Sequence, residues 1–419
     1  MNDPKHLKIL VLTSSYPRAP DDSASVFLRY MVEALEERGL DIHVIVPSDG
    51  SARVETHGKI TVHRFQYFFK RYQRLAYGSG MLANIKRCPW LWLEVPCFTY
   101  AMLYAAARII RREQIDVIHA HWILPQGIIG LIVSRLFKVP LITTAHGADA
   151  FGLRNFFVQA LKRFIIGRSD IWTANTRATA AAISPENLAP KPQVIPMGVD
   201  VDLFRSGNGA KVRADLAEAK FLLLFVGRLV EKKGCHDLLR AFSLLPPGLQ
   251  RQCVLWIIGD GDQRGVLENT ANEMAFGKHV QFWGAISNHK LPDFYAGADL
   301  FIAPAIEAAS GDTEGQGVVL LEAFAARLCV LATRVGGIGE VISDGENGRL
   351  VKPGHPQELA TTIELLLSDP EQRARLADNA YRELEDRYSW KRIAKSFEII
   401  YRQLAGDAKR RLASQRAAN

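Results

Sequence analysis

The sequence predicts two doubly wound α/β domains, and three observations carry that reading. The chain has 419 residues, 48% of them hydrophobic, which is more than one ordinary core organises. Short apolar runs alternate with amphipathic helical stretches from Lys8 onward, the pattern of parallel strands joined by right-handed crossovers. These runs end repeatedly in glycine or polar residues, and strand-end loops of an open parallel sheet are where ligands bind.

Composition narrows the partners. A net charge of +8 and a pI near 9.2 invite an anionic partner, whether nucleic acid, an acidic membrane face or a phosphorylated substrate. The cysteines, Cys88, Cys97, Cys235, Cys253 and Cys329, are odd in number and form no Cys-x-x-Cys pair. Neither a disulfide framework nor a zinc site is indicated, and a reducing cytoplasm is the expected setting. The apolar run Ile9 to Leu12 is too short for a secretory leader and reads as a buried strand.

In the first half, Lys8 to Thr13 is strand-like, Ser14 to Ser25 is a loop rich in turn formers, and Val26 to Arg38 is an amphipathic helix ended by Gly39. Ile42 to Val46 follows as a strand. Val117 to His119 then leads to His121-Trp122, and Leu141 to Thr144 leads to His146-Gly147-Ala148-Asp149. Ile171 to Thr176 continues the alternation, and Val194 to Pro196 ends it before Met197-Gly198-Val199-Asp200. A first domain over 1–200 is expected.

One insertion, His63 to about Trp92, breaks this rhythm. It interleaves rings such as Tyr67, Phe69, Tyr72, Trp90 and Trp92 with Arg64, Lys70, Arg71, Arg74, Lys86 and Arg87. Rings at headgroup depth and cations on anionic lipid would suit a membrane interface. Stacking on single-stranded nucleic acid uses similar chemistry, and a partly packed loop with solvated charges remains the plainer alternative. Val95 to Ala107 is apolar but short, so a packed helix is expected there and not a span.

In the second half, Phe221 to Val226 reads as a strand buried on both faces and ends in Gly227-Arg228-Leu229-Val230-Glu231-Lys232-Lys233-Gly234. Arg228, able to bind bidentately, and Lys233, a point charge, offer two cations to a diphosphate; a solvated basic turn would read the same way. Val254 to Ile258 leads to Gly259-Asp260-Gly261-Asp262, and Gly265 makes the spacing one residue too long for a dinucleotide fingerprint. The Asp-x-Asp triplets at Asp200 and Asp260 are the kind that hold a divalent ion on a diphosphate, but two cations already neutralise phosphate, so no metal is expected. Further strands are expected at Val280 to Trp283, Ala298 to Pro304 and Leu328 to Ala332.

Between the last two of these lies Asp312-Thr313-Glu314-Gly315-Gln316-Gly317-Val318, running into the breaker-free stretch Val318 to Ala326 that contains Glu322. Glycines that admit close backbone approach, followed by a helix start, make a seat for phosphate. Glu314 and Glu322 bracket that start, at most about 12 Å apart if all the intervening steps were helical. They are placed to accept hydroxyl hydrogen bonds from two parts of one nucleotide-sugar. An ordinary amphipathic helix with a solvated glutamate is the competing reading.

Taken together, Tyr16-Pro17, His146-Gly147, Ile195 to Asp200 with Phe204, Val226-Gly227-Arg228 with Lys233-Gly234, Gly259-Asp260-Gly261, Glu314 with Glu322, and Gly336-Gly337-Ile338-Gly339-Glu340 resemble retaining glycosyltransferase family four (glycosyl transferases group 1). The resemblance covers almost the whole chain. It implies the GT-B fold: two Rossmann-like domains facing a cleft, 1–200 for the acceptor and 201–388 for the nucleotide-sugar. A helix over 389–405 would return to the first domain, and a basic tail would follow over 406–419. It implies that Arg228 and Lys233 hold the donor diphosphate, that Glu322 binds ribose, and that Glu314 binds the donor sugar. The amides of Gly315, Gln316, Gly317 and Val318 would lie beneath sugar and phosphate, with Gly259 alongside. His146 matches the family's active-site histidine, and Ser15 and Tyr16 open its N-terminal loop.

Two departures stand out. Ser23, Ala24 and Ser25 replace glycines common in relatives, and Ala326-Arg327-Leu328-Cys329 replaces a small-Gly-Leu-Pro turn, which would set Arg327 in a mildly strained left-handed conformation. Neither removes a charge partner. The expected activity is hexosyl transfer with retention from a nucleotide-diphosphate sugar to a glycan or polyprenyl-linked acceptor in cell-surface polysaccharide synthesis. It would need no metal and no cofactor, and no nucleic acid partner. The expected place is the cytoplasm, at the inner face of the membrane if 63–92 makes peripheral contact. An epimerase or phosphorylase of the same fold, or a non-catalytic nucleotide-sugar or nucleic-acid binder, are the rivals.

Overall fold

The structure is a computed structural model that describes residues 6–19, 22, 25–50, 53–78, 80–152, 154–184, 191–216 and 219–417. The chain forms two compact units, one of residues 1–196 with 390–419 and the other of residues 197–389.

The first unit holds an eight-stranded sheet. Its strands are β1 (Lys8–Leu12), β2 (Asp41–Pro47), β3 (Arg53–His57), β4 (Ile60–Phe65), β5 (Val117–His121), β6 (Leu141–Ala145), β7 (Ile171–Ala174) and β8 (Gln193–Val194), in the order β3-β4-β2-β1-β5-β6-β7-β8. All neighbours are parallel except β3 and β4. The direction of winding reverses between β1 and β5, so the loops after those strands and after β6 share the sheet's carboxyl edge.

The second unit holds six parallel strands: β9 (Phe221–Val226), β10 (Cys253–Ile258), β11 (Val280–Gly284), β12 (Leu300–Ala303), β13 (Val330–Thr333) and β14 (Arg349–Val351), ordered β11-β10-β9-β12-β13-β14. β9 and β10 are buried along their whole length, as strands covered on both faces must be. Leu222, Leu224 and Val226 pack on the side of helix Val318–Ala325, while Leu223 and Phe225 pack on the side of helices Cys235–Ser243 and Pro356–Ser368. Here the winding reverses between β9 and β12. That places the Gly227–Gly234 turn beside the loop after β12.

Three expectations need correction. Helix Trp390–Ala417 belongs to the first unit but runs through the region expected to be a tail; its run of good helix formers carries it on. His63, Arg64 and Phe65 are not insertion but the end of β4. Arg64 is buried, paired with Glu55 at 2.9 Å and bonded to the Pro17 carbonyl at 2.5 Å. Phe65, Tyr67 and Tyr77 are buried too, Phe65 and Tyr67 meeting Phe98 edge-on. Only part of the 63–92 stretch is therefore a surface. The apolar helix is Glu94–Glu113, longer than expected, and with Pro89–Leu93 it is long and apolar enough to cross a membrane by length and composition. Phe98, Met102, Ala106 and Ile109 nevertheless bury one face of it in the unit.

Of the family departures, Ser23 and Ala24 lie outside the described residues. Ser25 adopts φ 50°, the left-handed conformation glycine would take there. Arg327 is left-handed as expected, with φ 53°, and is held by a 2.8 Å ion pair to Asp378 and a cation–π contact on Tyr381.

Candidate active site

Three consecutive residues after β9 fasten the loop that follows β12. In the single turn Glu231–Lys233, the Glu231 carboxylate accepts from the Ala309 N–H at 2.8 Å. Lys232 donates to the Asp312 carboxylate and the Thr313 carbonyl at 3.0 Å each. Lys233 donates to the Glu314 carboxylate. Sequence reasoning singled out Lys233 alone. The roles of Glu231 and Lys232 depend on which loop lies opposite, which only the strand order reveals.

Glu314 sits partly buried at the head of this clamp. Burial alone would raise its pKa, but the cations of Lys233 and Lys232, with Arg228 further off, outweigh it and hold the carboxyl below its ordinary value. Its backbone is fixed from behind by the glycine loop after β13. The Gly337 N–H donates to the Glu314 carbonyl at 3.1 Å. A Cβ on Gly336, at φ 54°, would lie 2.0 Å from that same oxygen. Only glycine allows this approach.

Past Glu314 the chain turns through Gly317, left-handed at φ 77°, into helix Val318–Ala325. Lys233, Glu314, Gly317, Leu320, Ala305 and Ile338 are among the lining of one concavity in this unit. Gln316 faces away from it in function: its amide pairs with the peptide of Met197, accepting from the N–H at 2.7 Å and donating to the carbonyl at 2.9 Å. Its side chain is thus structural, leaving only its backbone for a donor. Gly259 is likewise a packing residue, since a Cβ there would lie 1.9 Å from the Gly227 carbonyl. It lets the ends of β9 and β10 close on each other.

Glu322, on the second turn of the helix, accepts from the Tyr295 hydroxyl at 2.7 Å. Burial pushes its pKa up to about 7, with the Tyr295 bond and Lys233 pulling the other way. Tyr295 was missed, because a tyrosine in helix Leu291–Gly297 reads as core. Arg228 is exposed on the same β9 turn. The Asp-x-Asp residues are engaged locally: Asp200 caps helix Val201–Arg205, Asp202 pairs with Arg205, and Asp260 accepts from Gly261.

In the first unit His146 follows β6 and stands in a row of histidines. His121 Nδ1 lies 3.1 Å from His146 Nε2, and the His119 and His121 rings are 4.1 Å apart. His119 in turn bonds the Tyr401 hydroxyl at 2.7 Å and Thr144 at 2.6 Å. Burial lowers His119 and His146 to about 3 and His121 well below its usual value, so all three are neutral at physiological pH. Asp149 closes the His146 turn, accepting from the His146 and Ile123 N–H groups at 3.1 and 3.0 Å. Burial raises it to about 7. His119 and His121 were visible in the sequence as strand-end residues. Their coupling to His146 follows from β5 lying beside β6, a pairing the sequence does not state. Ser15 bonds Thr13 at 3.2 Å within the loop after β1. Tyr16 there is buried, and burial raises its phenol.

Residues 210–383 match the model of glycosyl transferases group 1, and residues 24–203 that of Glycosyltransferase Family 4. The uncharacterized glycosyltransferase MJ1607 of Methanocaldococcus jannaschii is 35% identical over 94% of this chain and 98% of its own. TuaC of Bacillus subtilis, a glycosyltransferase named for teichuronic acid biosynthesis, is 26% identical over 94% of this chain and 98% of its own. The solved structure of Anabaena HepE in complex with UDP superposes with a TM-score of 0.72 at 22% identity, covering 94% of this chain and 99% of that one. The chain belongs to the group 1, family 4 glycosyltransferases of GT-B fold.

Proposed function

We propose that this glycosyltransferase moves a hexose from a nucleotide-diphosphate sugar to a glycan or lipid-linked acceptor with retention at the anomeric carbon, in the synthesis of a cell-surface polysaccharide. The observation that carries the reading is the Lys233–Glu314 pair set against the start of helix Val318–Ala325, with Glu322 one turn further on. Arg228, Lys233 and the N-terminal end of that helix meet the charge that develops on the departing diphosphate. Glu314, kept ionised by its cations, accepts from sugar hydroxyls, and Glu322 accepts from ribose. His146 is assigned to the transferred sugar on the family resemblance.

In this reading the bond from the anomeric carbon to the phosphate oxygen breaks as the acceptor oxygen attacks from the same face. The acceptor proton passes to the departing phosphate oxygen. Neither a metal nor a resident cofactor takes part. The donor class draws support from HepE, solved with UDP, and the product class from TuaC, named for teichuronic acid. The chemistry is assigned to the cytoplasmic side of a membrane, where nucleotide-sugars are at hand.

The test is a donor screen: release of nucleotide from UDP-, GDP- and ADP-sugars, with and without a lipid extract, and the product's anomeric configuration by NMR. Release from one donor that rises with extract, is lost in Glu314→Ala and yields a retained product supports the reading. An inverted product, or release unaffected by Glu314→Ala, overturns it.

A further inference from the structure

We propose that an ordered platform of exposed rings and cations in the first unit docks on an anionic lipid bilayer. Its purpose rests on the reading of a lipid-linked acceptor; its evidence does not. Between Glu55 and Glu94 the sequence has no Asp or Glu, and Lys70, Arg71, Arg74, Lys86 and Arg87 are all exposed.

The acid that ends the stretch is consumed internally. Glu94 is buried and accepts from the Arg74 and Leu75 N–H groups at 3.1 Å each. Asn84 donates to the carbonyls of Arg74, Leu75 and Tyr77 at 3.3, 3.1 and 2.9 Å. These bonds tie the segment from Arg74 to Tyr77, which follows the turn Lys70–Tyr72, to helix Met81–Arg87 and to the foot of helix Glu94–Glu113, which the short helix Pro89–Leu93 leads into.

Beside these cations the outward side chains include large apolar ones. Trp90 is 79% exposed, Phe69 71% and Leu93 69%, with Trp92 and Tyr72 exposed beside them. Tyr100 and Tyr104, four residues apart on helix Glu94–Glu113, extend the same character along one helix face. Leu91, Phe98 and Met102 take the buried side. Large rings left in water on a rigid support mark a surface built for contact. Rings with interspersed cations and no carboxylate match a headgroup layer, with apolar tips entering the acyl boundary. A single-stranded nucleic acid would use the rings and cations but has no use for the exposed aliphatic Leu93.

The test is co-sedimentation of the full chain with vesicles of phosphatidylcholine alone and of phosphatidylcholine with phosphatidylglycerol. We expect binding to the anionic vesicles only, weakening with salt. Replacing Lys70, Arg71, Lys86 and Arg87 by Gln should cost about fivefold per cation, and Trp90→Ala with Trp92→Ala should abolish binding. All six positions are exposed, so thermal unfolding should not move, and the mutated surface lies outside the donor-binding unit, so nucleotide-sugar binding should be unchanged. Absence of vesicle binding, binding indifferent to both variants, or preferential binding of an RNA oligomer that both variants abolish would overturn the proposal. A donor screen that fails while vesicle binding persists would count against the transferase reading alone.

Discussion

Lys233 and Glu314 form an ion pair between the turn after β9 and the loop after β12. A partly buried carboxylate that loses its cation keeps its desolvation cost, so Lys233→Ala should destabilise the protein by about 2–4 kcal/mol. Under the proposed chemistry the lysine is shared with the donor diphosphate, and the same variant should lower kcat/KM by two orders of magnitude or more. Thermal unfolding and steady-state kinetics on one preparation separate the two effects.

Glu322 gives a pH-dependent signature. Its folded pKa is raised by burial from 4.5 to about 7, so the folded state holds a proton that the unfolded state releases, and stability is lost as pH rises through that window. Glu322→Gln removes the ionisation. The variant's unfolding free energy should match wild type near pH 4, below the unfolded pKa, and exceed it by up to about 3 kcal/mol at pH 8, while its nucleotide affinity falls. A difference that shrinks as pH rises would contradict the assignment.

Gly336→Ala should act on Glu314 without touching any ligand. The added methyl would sit 2.0 Å from the Glu314 carbonyl, on a residue already at φ 54°. We expect a loss of about 2–4 kcal/mol and a Glu314 displaced from Lys233, measured as lower kcat/KM at a temperature where the variant is still folded. Gly265→Ala, with nothing within 4 Å of its added carbon, is the control.

Tyr401 on the C-terminal helix reaches His119 at 2.7 Å. Tyr401→Phe leaves a buried imidazole nitrogen unpaired and should cost about 1–3 kcal/mol. Chemical denaturation measures it.

How much of this the sequence carried can be seen residue by residue. Strands β9 and β10 were legible because a parallel strand covered on both faces is an unbroken apolar run. Glu314, Glu322, Lys233 and Arg228 stood out in the sequence as charges beside Gly-rich strand ends and a helix start, and the structure brings Lys233 and Glu314 together. Glu231 and Lys232 were not legible, since their partners Ala309 and Asp312 lie far along the chain and only the order β9-β12 brings them near; Tyr295 was not, because a tyrosine in an apolar helix reads as core until the next helix sets Glu322 against it. Gln316 and Gly259 also make protein contacts that their motifs do not announce, the side chain of one with Met197 and the backbone of the other with Gly227. The 63–92 stretch is part core and part surface. At the end of β4 both Arg64 and Phe65 are buried, where the alternation of the preceding residues would bury only one, while Phe69 and Trp90 stay outside.

The central claim is that the β9 turn and the Glu314 loop form the donor site, and calorimetric titration tests it most directly. UDP, GDP and ADP, and then the hexose conjugate of whichever nucleotide binds, are titrated into wild type, Lys233→Ala and Glu314→Gln. The account predicts that Lys233→Ala loses the nucleotide diphosphate itself by at least tenfold, and that Glu314→Gln retains the nucleotide but loses the added affinity of the sugar. Equal binding of the nucleotide by wild type and Lys233→Ala would contradict it.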